Sequence, residues 1–185
     1  MLYKIVNSIN MIIEKWLRVY RRISFEAYTG KKTDKLHIVG KIYIRNPNVH
    51  LGSHVTLYPG VMLQGEGDIF IGNNTFLGNN CVVYSEKGHS VHIGSDCMIA
   101  AMCHIIDTDH NTILSEQHMI NQGTVSDNIV IEDDVWLASA VTVAKGSYIE
   151  QGAVIGAKAF VKGKVEKNTI YAGIPARPIK KRRSI

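Results

Sequence analysis

Aliphatic side chains recur every six residues along most of the chain. Leu51, Leu57 and Leu63 open the pattern, followed by Ile71, Leu77 and Val83 and by Ile93, Ile99 and Ile105. After an interruption it resumes as Ile131, Leu137 and Val143 and continues as Ile149, Ile155 and Val161. Four positions after many of these stands a smaller side chain: Val55, Val61, Thr75, Cys81, Cys97, Cys103, Val135, Val141, Ala153 and Ala159. A glycine or an acidic residue often follows the aliphatic one, as in Ile71-Gly72, Ile93-Gly94 and Ile131-Glu132, which is turn chemistry. A six-residue period fits neither the 3.6 of a helix nor simple strand alternation. It suits a short strand plus a tight turn, with three such units closing a triangular coil of about 18 residues. One coil cannot bury its own apolar row, so the pattern predicts an all-β solenoid of about five to six stacked coils, paired in parallel. This domain is expected over residues 36 to 173.

The register slips in three places. The step from Leu63 to Ile71 has two extra residues, that from Val83 to Ile93 has four, and that from Ile105 to Ile131 has twenty. An excursion of the last length from a regular solenoid is a functional loop or a disordered one, so residues 106 to 130 are expected to protrude. Ahead of the repeats, Leu2, Ile5, Val6, Ile9, Ile12, Ile13, Trp16, Leu17, Tyr20 and Ile23 recur at helical spacing. Residues 2 to 24 are therefore read as an amphipathic helix, within an N-terminal segment 1 to 30 that either caps the solenoid or makes a peripheral membrane contact. Residues 174 to 185 form a basic tail.

Composition changes this picture little. With 45% hydrophobic and 20% charged residues, the chain has the profile of a globular protein. Its net charge of +5 gathers near the ends, at Lys4, Lys15, Arg18, Arg21, Arg22, Lys31 and Lys32 and again from Lys180 to Arg183. That placement suits a local phosphate or an anionic surface and lacks the continuous basic face of a nucleic-acid binder, so no nucleic-acid partner is expected. The apolar N-terminal residues are broken by Asn7, Ser8, Asn10, Glu14 and Lys15, leaving no signal-peptide core and no spanning run of about 20 residues; a cytoplasmic setting, with possible contact at the inner membrane face, is the expectation. Cys81, Cys97 and Cys103 form no CxxC pair and all fall on the small inward row, where a thiol serves as a small hydrophobe.

Three stretches carry a resemblance: Ile93-Gly94 through Asp107-Thr108-Asp109-His110, then Val135-Trp136-Leu137-Ala138-Ser139, then Ala172-Gly173-Ile174-Pro175-Ala176-Arg177. Over about residues 36 to 180 the chain resembles the hexapeptide-repeat acyltransferases, most closely their sugar and xenobiotic O-acetyltransferase branch. The resemblance implies a left-handed parallel β-helix, a homotrimer with active sites between subunits, and acetyl-CoA as cosubstrate. By residue-by-residue matching it implies a general base at His110, an aromatic wall near the thioester at Trp136, contacts to the pantetheine arm at Ser139 and Ala157, and contacts around the adenosine and its phosphates at Lys162, Arg177 and Lys180. Where related sugar enzymes hold the acceptor with an asparagine, this sequence has Gly78, followed by Asn79 and Asn80; Asn80 is the candidate for acceptor binding.

The chemistry requires such a base, because a sugar hydroxyl attacks a thioester only as a base takes its proton. Histidine titrates near neutrality and can return that proton to the departing thiolate. Asp107 and Asp109 could orient the ring or bond the backbone of a tight loop, and neither role is assigned. His104, Asp107, Asp109 and His110 lie in one short segment without distant partners, so no metal is expected. The activity implied is O-acetyl transfer to a sugar, sugar nucleotide or surface glycan. Two alternatives stay open: N-acetylation of an amino sugar or xenobiotic on the same fold, and a non-catalytic scaffold.

Overall fold

The computed structural model describes residues 2 to 183 apart from the side chains of Leu2 and Ile5; Met1 of the N-terminal segment and Ser184 and Ile185 of the basic tail lie outside the described residues. Three parallel sheets form the faces of a left-handed triangular prism. The first face stacks His37–Ile38, Thr56–Leu57, Phe76–Leu77, Met98–Ile99, Trp136–Leu137, Val154–Ile155 and Thr169–Ala172. The second stacks Tyr43–Arg45, Met62–Gly65, Val82–Ser85, His104–Ile106, Thr142–Ala144 and Phe160–Val161. The third stacks Val49–Leu51, Asp68–Ile71, Ser90–Ile93, Ile129–Ile131, Tyr148–Ile149 and Lys164–Val165. Six coils are complete, at the upper end of the about five to six expected, and Thr169–Ala172 begins a seventh. Outside the counted rows the spacing departs from six between Ile44 and Leu51, which are seven apart, and between Val161 and Val165, which are four apart.

The aliphatic rows point inward as expected: Leu57, Leu77, Ile99, Leu137 and Ile155 are fully buried on the first face, and Leu63, Val83, Ile105 and Val143 on the second. The three cysteines are buried in the same core. Burial pushes the Cys97 thiol up to about 11, which keeps it protonated and inert.

Two of the three corners are regular ladders. Between the first and second faces, Gly60, Asn80, Met102, Ala140 and Lys158 all take left-handed φ values between 57° and 80°. The amide of each sits under the previous coil: Asn80 N–H donates to Pro59 C=O at 3.0 Å, Met102 to Asn79 at 2.8 Å, and Ala140 to Ala101 at 2.9 Å. A left-handed non-glycine residue costs about 1–2 kcal/mol, and the repeated inter-coil bond offsets it. His54, Asn74, Asp96, Asp134, Gly152 and Asn168 form the same ladder between the third and first faces.

The corner between the second and third faces has no such ladder, and every register slip falls there. The long excursion is not an irregular loop throughout: Thr108–His110 pairs antiparallel with Thr124–Ser126, placing His110 opposite Thr124. A single 3₁₀ turn, Met119–Asn121, lies in the tip. The root of this hairpin is fixed from both sides. Below it, the buried Asp107 accepts from Ser85 Oγ at 2.9 Å and from Glu86 N–H at 2.9 and 3.1 Å, while its carbonyl accepts Asp127 N–H at 2.9 Å. Above it, Lys145 Nζ donates to Val125 C=O at 2.9 Å and lies 3.6 Å from the Asp109 carboxylate.

Both chain ends close the prism. The helix Leu2–Thr29 ends at Gly30, a residue with left-handed φ that suits a helix C-terminus. It buries Phe25 against Leu36 and Ile38 at the open end of the first coil, so its C-terminal part caps the solenoid. The basic tail is a strand: Arg177–Lys181 pairs antiparallel with Thr169–Ala172 and covers the last edge of the first face.

Replacing Leu137 with Ala should destabilise the solenoid by about 2–5 kcal/mol, the range for emptying a well-packed leucine site, measured by denaturant unfolding. Asp107→Ala, which leaves the Glu86 amide without its acceptor and the Ser85 hydroxyl with only His89 C=O at 3.2 Å, should cost about 1–3 kcal/mol. It should also speed hydrogen exchange at the Asp127 amide, whereas Asp109→Ala, removing an exposed ion pair, should cost under about 1 kcal/mol.

Candidate active site

His110 ends the outgoing strand of the hairpin. Its imidazole is exposed, and among the described residues it makes no hydrogen bond, so the ring is open to a ligand. Three residues before it, burial raises the Asp107 carboxyl above the usual carboxylate range, with the Ser85 hydroxyl and the Glu86 amide opposing that rise. Both Asp107 oxygens are taken by these donors, so its carboxylate holds the hairpin root and does not reach toward the histidine ring. Tyr84 lies in the same corner one coil below; burial and the Glu86 carboxylate, to which its hydroxyl donates at 3.2 Å, push its phenol up.

The other residues singled out in the sequence fall into groups. Ser139 and Ala157 occupy the same turn position of consecutive coils at the corner between the first and second faces, joined by the bond from Lys158 N–H to Ser139 C=O at 2.9 Å. Arg177 begins the terminal strand beside them, because Ala176 N–H donates to Phe160 C=O at 2.8 Å and Phe160 N–H to Gly173 C=O at 3.1 Å. The Ala172–Arg177 turn thus stands in for the missing second face of the seventh coil. Trp136 lies outward on the first face between Met98 and Val154. Together with Ile170, these three floor a groove whose rim carries Lys180 and Arg182. Arg182 is fixed there by Asp134 and by Gly152 C=O, each at 2.9 Å.

Lys162 follows Phe160–Val161 and therefore lies on the corner that His110 occupies, two coils further along, not beside Ser139 and Ala157. Asn80 lies on the Ser139 corner, two coils before Ser139, where its left-handed φ of 57° gives a turn reason for an asparagine. Gly78 is tightly enclosed: a Cβ there would come within 2.7 Å of Ala101 N and 2.8 Å of Ala100 C. An asparagine at that position would press into the next coil. The structure thus assembles a first-face groove with an adjoining corner on one side, and the hairpin histidine on another. Within a single chain the breadth of the second face separates them.

Sequence reasoning did not single out Ser85, Lys145 or Asp127, which hold the hairpin, or Arg182 and Asp134, which build the groove rim. Their signal is three-dimensional. Ser85 stands 22 residues from Asp107 and Arg182 stands 48 from Asp134, separations that become neighbours only through coil stacking.

No family model matches the chain. Among curated proteins it is 35% identical over 149 residues, 75% of either chain, to an Escherichia coli protein named for O-acetyl transfer in lipopolysaccharide biosynthesis, WbbJ. Among solved structures it superimposes on AntD, an N-acyltransferase from Bacillus cereus, with TM-score 0.73, 18% identity and coverage of 82% of this chain and 83% of that one. It also superimposes on the hexapeptide-repeat acetyltransferase VCA0836 from Vibrio cholerae, with TM-score 0.62, 19% identity and coverage of 90% and 82%. The structural likenesses, at such low identity, speak to the fold. The identity to the Escherichia coli relative over most of both chains, on a solenoid with one hairpin interrupting its coils, shows that this chain belongs to the hexapeptide-repeat acetyltransferases.

Proposed function

We propose that this chain moves the acetyl group of acetyl-CoA to a hydroxyl of a sugar, sugar nucleotide or surface glycan, with His110 as general base. The observation that carries the reading is the exposed His110 ring on a hairpin clamped at both roots, since a general base must be fixed yet accessible. His110 takes the proton of the acceptor hydroxyl as its oxygen attacks the thioester carbonyl. The tetrahedral adduct then collapses, the C–S bond breaks, and the imidazolium returns its proton to the coenzyme thiolate. Each backbone N–H or amide aimed at the adduct's oxyanion contributes about 3 kcal/mol, and no covalent enzyme intermediate is needed. A carbohydrate acceptor is supported by the naming of the Escherichia coli relative for lipopolysaccharide biosynthesis.

The first-face groove and its corner, with Trp136, Ser139, Ala157, Arg177 and Lys180, receive the coenzyme. Trp136 walls the thioester end, the small residues let the pantetheine arm approach the backbone, and the cations meet the phosphates. Lys162 projects from the other corner toward a neighbouring copy's coenzyme, and Asn80 contacts the acceptor. Because the groove and His110 lie on different sides of one prism, the complete site forms between copies, in the homotrimer that the family resemblance implies. Acetyl-CoA supply places the reaction in the cytoplasm.

The test is acetyl-CoA turnover, followed as released thiol, against a panel of sugars, sugar nucleotides and oligosaccharides. Acceptor-dependent release should fall at least about 100-fold in His110→Ala, within the usual reach of acid–base catalysis, with coenzyme binding retained. Retained turnover in the variant would remove His110 from the role. A preference for amine acceptors, with rates still climbing above the histidine range, would assign N-transfer, and failure to bind coenzyme would leave a scaffold. Shared sites make a second prediction: mixing inactive His110→Ala with inactive Ser139→Arg under exchange of subunits should restore part of the activity. Sites confined to one chain would restore none.

A further inference from the structure

The N-terminal helix is turned inside out relative to a packed helix. Its C-terminal end seats Phe25, 1% exposed, on the first coil, and Thr29 is buried beside it. The same side of the helix carries Asn7, Glu14, Lys15, Arg18 and Arg22, with Met11 among them, which line a groove against Leu36 and His37. Arg21 reaches the coil from the edge of that side, donating to Val39 C=O at 3.1 Å. The polar side therefore faces the protein. Val6, Ile9, Ile13, Trp16, Leu17, Tyr20 and Ile23 follow one another at spacings of three and four on the opposite side and point to solvent, with Trp16 69%, Tyr20 67% and Ile23 54% exposed.

Such a stripe needs an apolar partner, and its charged surroundings select one. Residues 1 to 32 hold seven basic side chains, Lys4, Lys15, Arg18, Arg21, Arg22, Lys31 and Lys32, against Glu14 and Glu26. Seven minus two is +5, equal to the net charge of the whole chain, so the helical end carries the molecule's positive excess. The acids are already engaged: Glu14 lies 3.4 Å from Arg21, and Glu26 accepts from Thr33 N–H and Oγ1. Val6, Ile9, Ile13, Trp16, Tyr20 and Ile23 alone keep the spacing of a two-position coiled-coil seam, but the exposed Ile12 and Leu17 widen the stripe on both flanks. An anionic bilayer meets both features, and Trp16 and Tyr20 are the side chains that settle at headgroup level. No helix among the described residues is long and apolar enough to cross a membrane.

We propose that the helix Leu2–Thr29 lies in the plane of an anionic membrane surface. Its apolar stripe enters the interfacial layer, the net charge of +5 on this end draws it to anionic headgroups, and the solenoid hangs from the Phe25 joint. This surface is separate from the site at His110 and stands or falls independently of it.

The experiment is co-sedimentation of the full chain with vesicles of phosphatidylcholine alone and of phosphatidylcholine mixed with phosphatidylglycerol, with molar mass measured in parallel by light scattering. The wild type should pellet with the anionic vesicles at least tenfold better than with the neutral ones, and less well at high salt. Ile13→Ser combined with Trp16→Ser should abolish pelleting while leaving the molar mass and the melting temperature unchanged, because both side chains are solvent-facing. Lys15→Gln with Arg18→Gln should weaken binding to the anionic vesicles only. The proposal is overturned if the wild type does not pellet, if the serine variant still does, or if that variant instead loses molar mass, which would give the stripe to a second copy.

Discussion

Everything in this molecule depends on the in-register stacking of coils, because no coil can bury its own aliphatic row or satisfy its own backbone. Leu77 is stacked between Leu57 and Ile99 of the coils on either side, and the strand amides find their acceptors one coil away. The left-handed corner residues follow from the same requirement. Asn80, Met102 and Ala140 accept an unfavourable φ because only that turn delivers their amides to the carbonyls of the preceding coil. Close stacking also sets the small residues: Gly78 has the backbone of Ala100 and Ala101 where a side chain would stand.

A framework this repetitive leaves chemistry few places to enter. Two corners are committed to the ladder, and an insertion in either would break an inter-coil bond in every neighbour. The third corner, between the second and third faces, carries the insertions, and the longest of them is the hairpin with His110. Clamping by Asp107, Ser85 and Lys145 gives that hairpin a fixed root although its tip is exposed. The burial that raises the Asp107 carboxyl is part of the same device, since a carboxylate removed from water holds its remaining donors strongly.

The two ends of the prism are finished differently. At the C-terminal end the chain folds back as Arg177–Lys181, hiding the edge of the first face while presenting cations along a groove that contains Trp136. At the N-terminal end Phe25 plugs the core, and the helix leaves its apolar side outward.

The sequence by itself determined the six-residue unit, the inward rows down to the three cysteines and the position of the long excursion, because burial imposes a local period that the excursion interrupts, and it determined the helix through its own amphipathic spacing. The structure brings Trp136 and Lys180 into one groove and Ser139 and Ala157 onto one corner. Only the tertiary structure decided the number of coils, since the steps from Ile44 to Leu51 and from Val161 to Val165 depart from the strict period while their strands still pair in register. It alone turned the excursion into a hairpin and the basic tail into a strand, both antiparallel pairings between segments with no periodic signal. It also separated Lys162 and His110 from the groove. And it decided which side of the helix faces the protein: amphipathic spacing fixes that a stripe exists, but the burial of Phe25 on the polar side sets the direction in which it points.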